Sequence, residues 1–157
     1  NFEFRREGTR ELGVVNGGSS WITDPKRVTG KIDALGIEPG QTQLFDAMGA
    51  IRQVIVSKAD ADGLSSKYLV IVTDGDERAS DSDQKTLIAA LKLSGVRVFA
   101  IGLVDDLGDK KKKAVKLLRS LAEETGGYAI FPKADDKTSL QAIIADLFAI
   151  HPTKTSK

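Results

Sequence analysis

Tyr68-Leu69-Val70-Ile71-Val72-Thr73 is an unbroken run of strand-forming residues that stops at Asp74-Gly75-Asp76-Glu77. Strands covered on both faces read as continuous Val/Ile/Leu runs, and in open α/β sheets ligands lie beyond the carboxyl ends of such strands. The run therefore predicts a buried strand with Asp74 at its carboxyl edge. Two readings of that edge are open. Asp74-Gly75 can simply end the strand and leave Asp76 and Glu77 as solvated loop charges, or the three acids can line a binding site.

The rest of the composition narrows the chemistry available there. With 157 residues and 41% hydrophobic content, the chain can bury a core as one domain without disulfides or structural zinc. It has no cysteine and a single histidine, His151, which removes Cys/His metal sites and Ser-His or Cys-His nucleophile chemistry from consideration. Any metal must be held by oxygen. Twenty-three basic against twenty-two acidic residues give a net charge of +1, which argues against nucleic acid or a membrane surface as partner. No apolar run approaches the roughly 18 residues of a membrane span, and no leader is visible. The chain begins at Asn1, so the expectation is an excised or processed piece of a longer protein.

Around the central run, helices and strands alternate. Phe2-Glu3-Phe4 and residues 11–15 are strand candidates, followed by a Gly/Ser turn at 16–20 that lacks the lysine and spacing of a phosphate loop. Asp24-Pro25 starts a short helix that Gly36 ends. After Pro39-Gly40, the spacing of Leu44, Ala47, Met48, Ile51, Val54 and Ile55 predicts a helix packed by one face, with Thr42 at its N-terminus. Thr42 is an N-cap on one reading and a site residue on the other. Residues 57–67 read as a polar connection, in which Asp60-Ala61-Asp62-Gly63 is too incomplete for a calcium loop. Residues 79–83 offer N-caps for a helix carrying Leu87, Ala90 and Leu91 and ending at Gly95. Val96 to Ile101 is a second buried strand, and Asp105 to Asp109 a loop. The next helix carries Ala114, Leu117, Leu118, Leu121 and Ala122, with Lys110 to Lys113 at its start. Four lysines there oppose the helix dipole and need loop aspartates or a partner to offset them. Tyr128 to Phe131 is a third strand, Leu140 to Phe148 the last helix, and residues 151–157 a frayed tail beyond a single domain of residues 1–150. Such alternation requires right-handed crossovers and a mostly parallel, doubly wound α/β sheet with helices on both faces.

Gly40-Gln41-Thr42-Gln43-Leu44-Phe45-Asp46-Ala47, the strand ending in Thr73-Asp74-Gly75, the run Val96 to Leu103 and the stretch Leu118 to Tyr128 resemble, in order and spacing, a von Willebrand factor type A (VWA) domain of bacterial type. The resemblance covers about residues 10–150 and implies a Rossmann-like sheet with a metal-ion-dependent adhesion site at its carboxyl edge. It also implies a Mg²⁺ or Mn²⁺ ion held there by an Asp-x-Ser-x-Ser loop, a threonine and an aspartate, with a partner carboxylate completing the shell. Thr42 matches the threonine and Asp74 the aspartate, and Gln41, Asp76 and Glu77 flank them as partner contacts. No Asp-x-Ser-x-Ser follows an apolar run in this sequence, so a central strand and its ligands are missing from the pattern. Either they lie outside the chain, or residues 2–4 or 11–15 fill the gap and metal binding is weak or lost.

The function this implies is a non-enzymatic adhesion or scaffold module with a protein partner. Bacterial members are often exported, so the resemblance also implies an extracytoplasmic location. Two alternatives stay open: a Mg²⁺-dependent phosphoryl-transfer or hydrolase domain using Asp74, Asp76 and Glu77, which lacks an evident nucleophile or phosphate loop, and a structural domain without metal.

Overall fold

The computed structural model describes residues 2–7 and 9–14, positions 26 and 30, and residues 42–133. Expectations for Gln41, the 16–20 turn, the last helix and the tail fall outside these residues. Lys26 and Gly30, within the expected first helix, are helical and exposed.

The first two strands, β1 (Phe2–Glu7) and β2 (Thr9–Val14), pair antiparallel from Phe2↔Val14 to Glu7↔Thr9 and form a sheet of their own. This corrects the reading in which residues 2–4 or 11–15 fill a gap in the parallel sheet, because the two strands pair with each other.

Helix α1 (Leu44–Ala61) buries Leu44, Phe45, Met48, Ile55 and Ala59 along one face. It runs past the expected start of a polar connection at Ser57 because Ala59, one turn after Ile55, is also seated in the core. Asp60 and Ala61 thus belong to the helix and Asp62 is its C-cap.

The parallel sheet has the order β3-β4-β5, with β3 (Lys67–Thr73), β4 (Val96–Gly102) and β5 (Ala129–Ile130). β3 and β4 pair in register from Lys67↔Val96 to Thr73↔Gly102, and β5 pairs on the other side of β4, Ala100 opposite Ala129. The expected parallel pairing of the two long strands is observed, with the third at the edge of the described sheet. β4 is buried at every position except Arg97. β3 departs from expectation: Leu69 and Ile71 are buried, whereas Val70 is 48% and Val72 62% exposed. Its side chains alternate between a packed face and an open one, so an apolar run did not mean two covered faces.

Two helices complete the crossovers. α2 (Gln84–Leu93) buries Leu87, Ile88 and Leu91. Its N-cap is Asp83, which accepts from the Thr86 amide at 3.0 Å and the Thr86 hydroxyl at 2.6 Å and is held below the usual carboxylate range by those bonds, the hydroxyl first. A 3₁₀ segment (Asp105–Lys110) leads into α3 (Lys111–Glu123), which turns Ala114, Leu118, Leu121 and Ala122 inward. The chain then passes so close to β4 that a Cβ on Gly127 would lie 1.9 Å from the Val98 carbonyl oxygen, which admits only glycine. Both crossovers deliver their loops to the carboxyl ends of β3 and β4.

Candidate functional site

β3 ends in two local side-chain turns. The Thr73 hydroxyl accepts from the Gly75 amide at 3.1 Å, and Asp74 Oδ1 accepts from the Asp76 amide at 3.0 Å. Gly75 lies between them at φ 77°, a conformation that costs a side-chain-bearing residue energy. A Cβ there would also stand 3.2 Å from Ala114 and Leu118 of α3. The turn leaves Asp74 exposed at the strand end while the chain continues toward α1.

The N-terminus of α1 has no cap of its own. Gln43 occupies the N-cap position without a capping side-chain bond, and Thr42 stands one residue earlier, so the N-cap reading of Thr42 is not what is observed. The free amides of the first turn are satisfied from the loop after β3 instead. Glu77 Oε2 accepts from Leu44 at 2.5 Å and Phe45 at 3.2 Å, and the Ser80 hydroxyl oxygen accepts from Phe45 at 3.0 Å and Asp46 at 3.3 Å. Glu77 Oε1 meanwhile accepts from the amides of Ala79 at 2.9 Å and Ser80 at 2.8 Å, and the Ser80 hydroxyl donates to Oε2 at 2.9 Å. A carboxylate against the positive end of a helix is also favoured by the helix dipole.

The contact is reciprocal. Asp46, buried in the first turn of α1, accepts from the amides of Asp81 at 2.9 Å and Ser82 at 3.0 Å. Gln43 donates its side-chain amide to the Ala79 carbonyl at 3.1 Å, and the Arg78 amide donates to the Thr42 carbonyl at 3.2 Å. The loop of Thr42 and the loop of Asp74 are thus fastened side by side. Glu77 is not the solvated charge of the plainer sequence reading; its two oxygens accept five hydrogen bonds within the chain.

Asp76 has different neighbours. Its Oδ2 accepts from Arg78 Nε at 2.7 Å, from a second Arg78 nitrogen, and from Lys110 Nζ at 3.1 Å. These cations, the Arg78 guanidinium foremost, hold the Asp76 carboxyl at about 2, and Asp76 in turn raises Arg78. Lys111 pairs with Asp105 at 2.7 Å. Loop aspartates therefore offset two of the four lysines that crowd the start of α3.

A profile of the von Willebrand factor type A domain matches residues 19–146. The chain belongs to that family. A search among curated proteins found no match. VWA domains are commonly protein-interaction or adhesion modules and adopt an α/β, Rossmann-like fold, with which the parallel sheet and helical crossovers agree. No described helix of this VWA domain is long and apolar enough to cross a membrane.

For a divalent cation, the residues of the edge fit in kind more than in number. Asp74 offers an exposed carboxylate and Thr42 a half-buried hydroxyl, the hard oxygen donors that Mg²⁺ and Mn²⁺ take. Asp76 and Glu77 are occupied by cations and amides, and no group of three or more acidic or histidine side chains among the described residues is placed to hold a metal. Sequence reasoning missed Ser80, Asp46 and Arg78. The available signal was a serine three residues after Glu77 and an acid inside the first turn of a helix with no Ser/Thr/Asp/Asn at its N-cap.

Proposed function

We propose that this VWA domain is a non-enzymatic binding module whose protein partner docks at the carboxyl edge of the parallel sheet, around Thr42, Asp74 and Asp76. The observation that carries the reading is the fastening of the two edge loops through Glu77, Ser80 and Asp46. A rigid pair of loops around an exposed aspartate suits recognition, since groups already fixed lose little entropy on binding. Gln41 and Asp76 contact the partner in this reading, and Glu77 contributes by tying together the loops that carry them. The enzyme alternative draws on Asp74, Asp76 and Glu77. Two of these three carboxylates are already engaged, which counts against their acting as free bases.

Thr42 and Asp74 are the residues that would hold Mg²⁺ or Mn²⁺, which when bound would supply a Lewis-acidic point for a partner carboxylate. With two protein ligands, most of an octahedral shell stays water and affinity is weak. A docking edge that works without metal is the second reading, favoured by the shortage of donors among the described residues.

Panning a random peptide library against the immobilised domain tests the proposal, run with Mg²⁺ and with chelator. Selected peptides should lose binding on Asp74→Ala, and metal dependence separates the two readings. Peptides that bind wild type and Asp74→Ala equally, and whose binding Asp76→Ala also leaves unchanged, would place the docking surface elsewhere.

A further inference from the structure

Next to the Asp74 turn, a pocket of about 360 Å³ is lined by Gly75, Asp76, Glu77 and Arg78 of the loop and by Lys110, Lys113, Ala114 and Leu117 at the start of α3. That is within the ~300–1,000 Å³ range of small-ligand sites. One carboxylate oxygen of Asp76 gathers two nitrogens of Arg78 and the ammonium of Lys110, which fixes two long cationic side chains without exhausting them. Arg78 has five N–H donors and Lys110 three, so most remain available. Lys113 adds a further exposed ammonium, to which no ion pair is assigned among the described residues. The competing acid of the loop, Glu77, is turned into the α1 N-terminus and satisfied there. Beneath the cations, Ala114 is buried and Leu117 half-buried, giving an apolar floor.

We propose that this pocket is a subsite for an acidic side chain of the protein partner, with an adjoining aliphatic residue resting on Ala114 and Leu117. The proposal rests on the reading of this edge as a protein-docking surface and adds the chemistry of what docks. An incoming carboxylate meets Arg78 and Lys110 already ordered by Asp76, so much of the entropy of immobilising those side chains is lost before the partner arrives. It also meets Lys113 directly. Asp76 and Glu77 both repel the incoming charge, and the three cations Arg78, Lys110 and Lys113 exceed these two carboxylates by one charge.

The test is an NMR titration of the ¹⁵N-labelled chain, in chelator, with the capped tripeptide acetyl-Leu-Asp-Leu-amide and with its Asn counterpart. The acidic peptide should produce saturable amide shifts confined to residues 75–78 and 110–117. Either the Asn peptide or Lys113→Glu should weaken binding by about 1.4- to 30-fold, the range expected from losing one or two exposed charge pairs at ~0.2–1 kcal/mol each. Lys113 is exposed, so the variant should give an otherwise unchanged spectrum. Equal binding of the two peptides, shifts mapping to another surface, or stronger displacement by inorganic phosphate than by the acidic peptide would overturn the proposal. Asp74→Ala distinguishes the two levels of argument. Peptide binding in chelator that survives it supports the pocket even if the metal-assisted reading fails. Binding that needs both Asp74 and added Mn²⁺ refutes the pocket and leaves the edge.

Discussion

Removing the Glu77 carboxylate should unfasten the edge of the sheet at a measurable cost. In Glu77→Ala, the amides of Leu44, Ala79 and Ser80 lose their acceptor, while Phe45 keeps the Ser80 hydroxyl oxygen at 3.0 Å. The site is partly buried, so water can replace some of what is lost, and ~1 kcal/mol for each of the three amides is a fair value. A helix N-terminus deprived of its cap alone loses about 0.5–2 kcal/mol. The Leu44 amide is part of that cap and is counted once, so the three amides give about 3 kcal/mol, a large fraction of the ~5–15 kcal/mol typical of a domain. At about 2–4 °C per kcal/mol for a chain near this size, Tm should fall by roughly 6–12 °C. Glu77→Gln keeps one acceptor oxygen and should fall between wild type and alanine. Urea unfolding followed by far-ultraviolet circular dichroism gives the free energy, and hydrogen exchange at Leu44 and Phe45 shows whether the opening is local. A loss below ~1 kcal/mol for Glu77→Ala, no larger than a single ordinary hydrogen bond, would refute the view that this carboxylate fastens the two loops.

Other outcomes follow from single contacts. Asp76 should titrate at about 2 in the folded protein against the usual 3.8; because the folded value is the lower one, its ion pairs stabilise fully above 3.8 and that contribution is lost as pH falls through 2, and Arg78→Ala should move the carbon-detected NMR titration upward. Gly127→Ala forces a Cβ toward the Val98 carbonyl and should cost about 1–3 kcal/mol or more in urea unfolding, with wild-type-like stability as the contrary result. Val72→Thr on the open face of β3 should change stability by less than ~0.5 kcal/mol, whereas a larger loss would mean that this face is covered in solution. Millimolar Mg²⁺ should leave Tm almost unmoved because a site with two protein ligands is weak, whereas saturation a hundredfold above Kd would add ~2.7 kcal/mol; a large rise abolished by Asp74→Ala would mean the site is complete as it stands.

The elements legible in the sequence were those whose cause is local. Val96 to Ile101 reads as a buried strand because nearly every side chain in it is apolar and nearly every one is buried. The α3 stripe of Ala114, Leu118, Leu121 and Ala122 follows the helical period. Val70 and Val72 were misjudged because an apolar side chain states what it tolerates, and whether its face is covered depends on neighbours elsewhere in the chain. The end of α1 was set too early because Ser57, Lys58 and Asp60 look like a loop until Ala59 is known to reach the core. At the edge, Asp74 was legible as the residue after a strand. Glu77 was not, because the amides it serves belong to Leu44 and Phe45, and nothing near Glu77 in sequence signals a helix start that lacks its own cap.

The fastening of the two loops also bears on the order in which the molecule assembles. Its bonds join residues 32 to 36 positions apart, and none can form until α1 has folded back and β3 has been laid down. Closing such a span carries a loop entropy that only neighbouring packed structure offsets. The sheet pairs residues 29 positions apart, Lys67 with Val96 and Ala100 with Ala129, a span almost as long, so if the edge loops close after the sheet that orients them, their bonds are weak or absent in the folding transition state. In that case Glu77→Ala should accelerate opening while leaving the speed of formation nearly untouched, which folding and unfolding rates measured against urea would show. The edge proposed for docking would in that sense be a clasp put on last and the first to come undone.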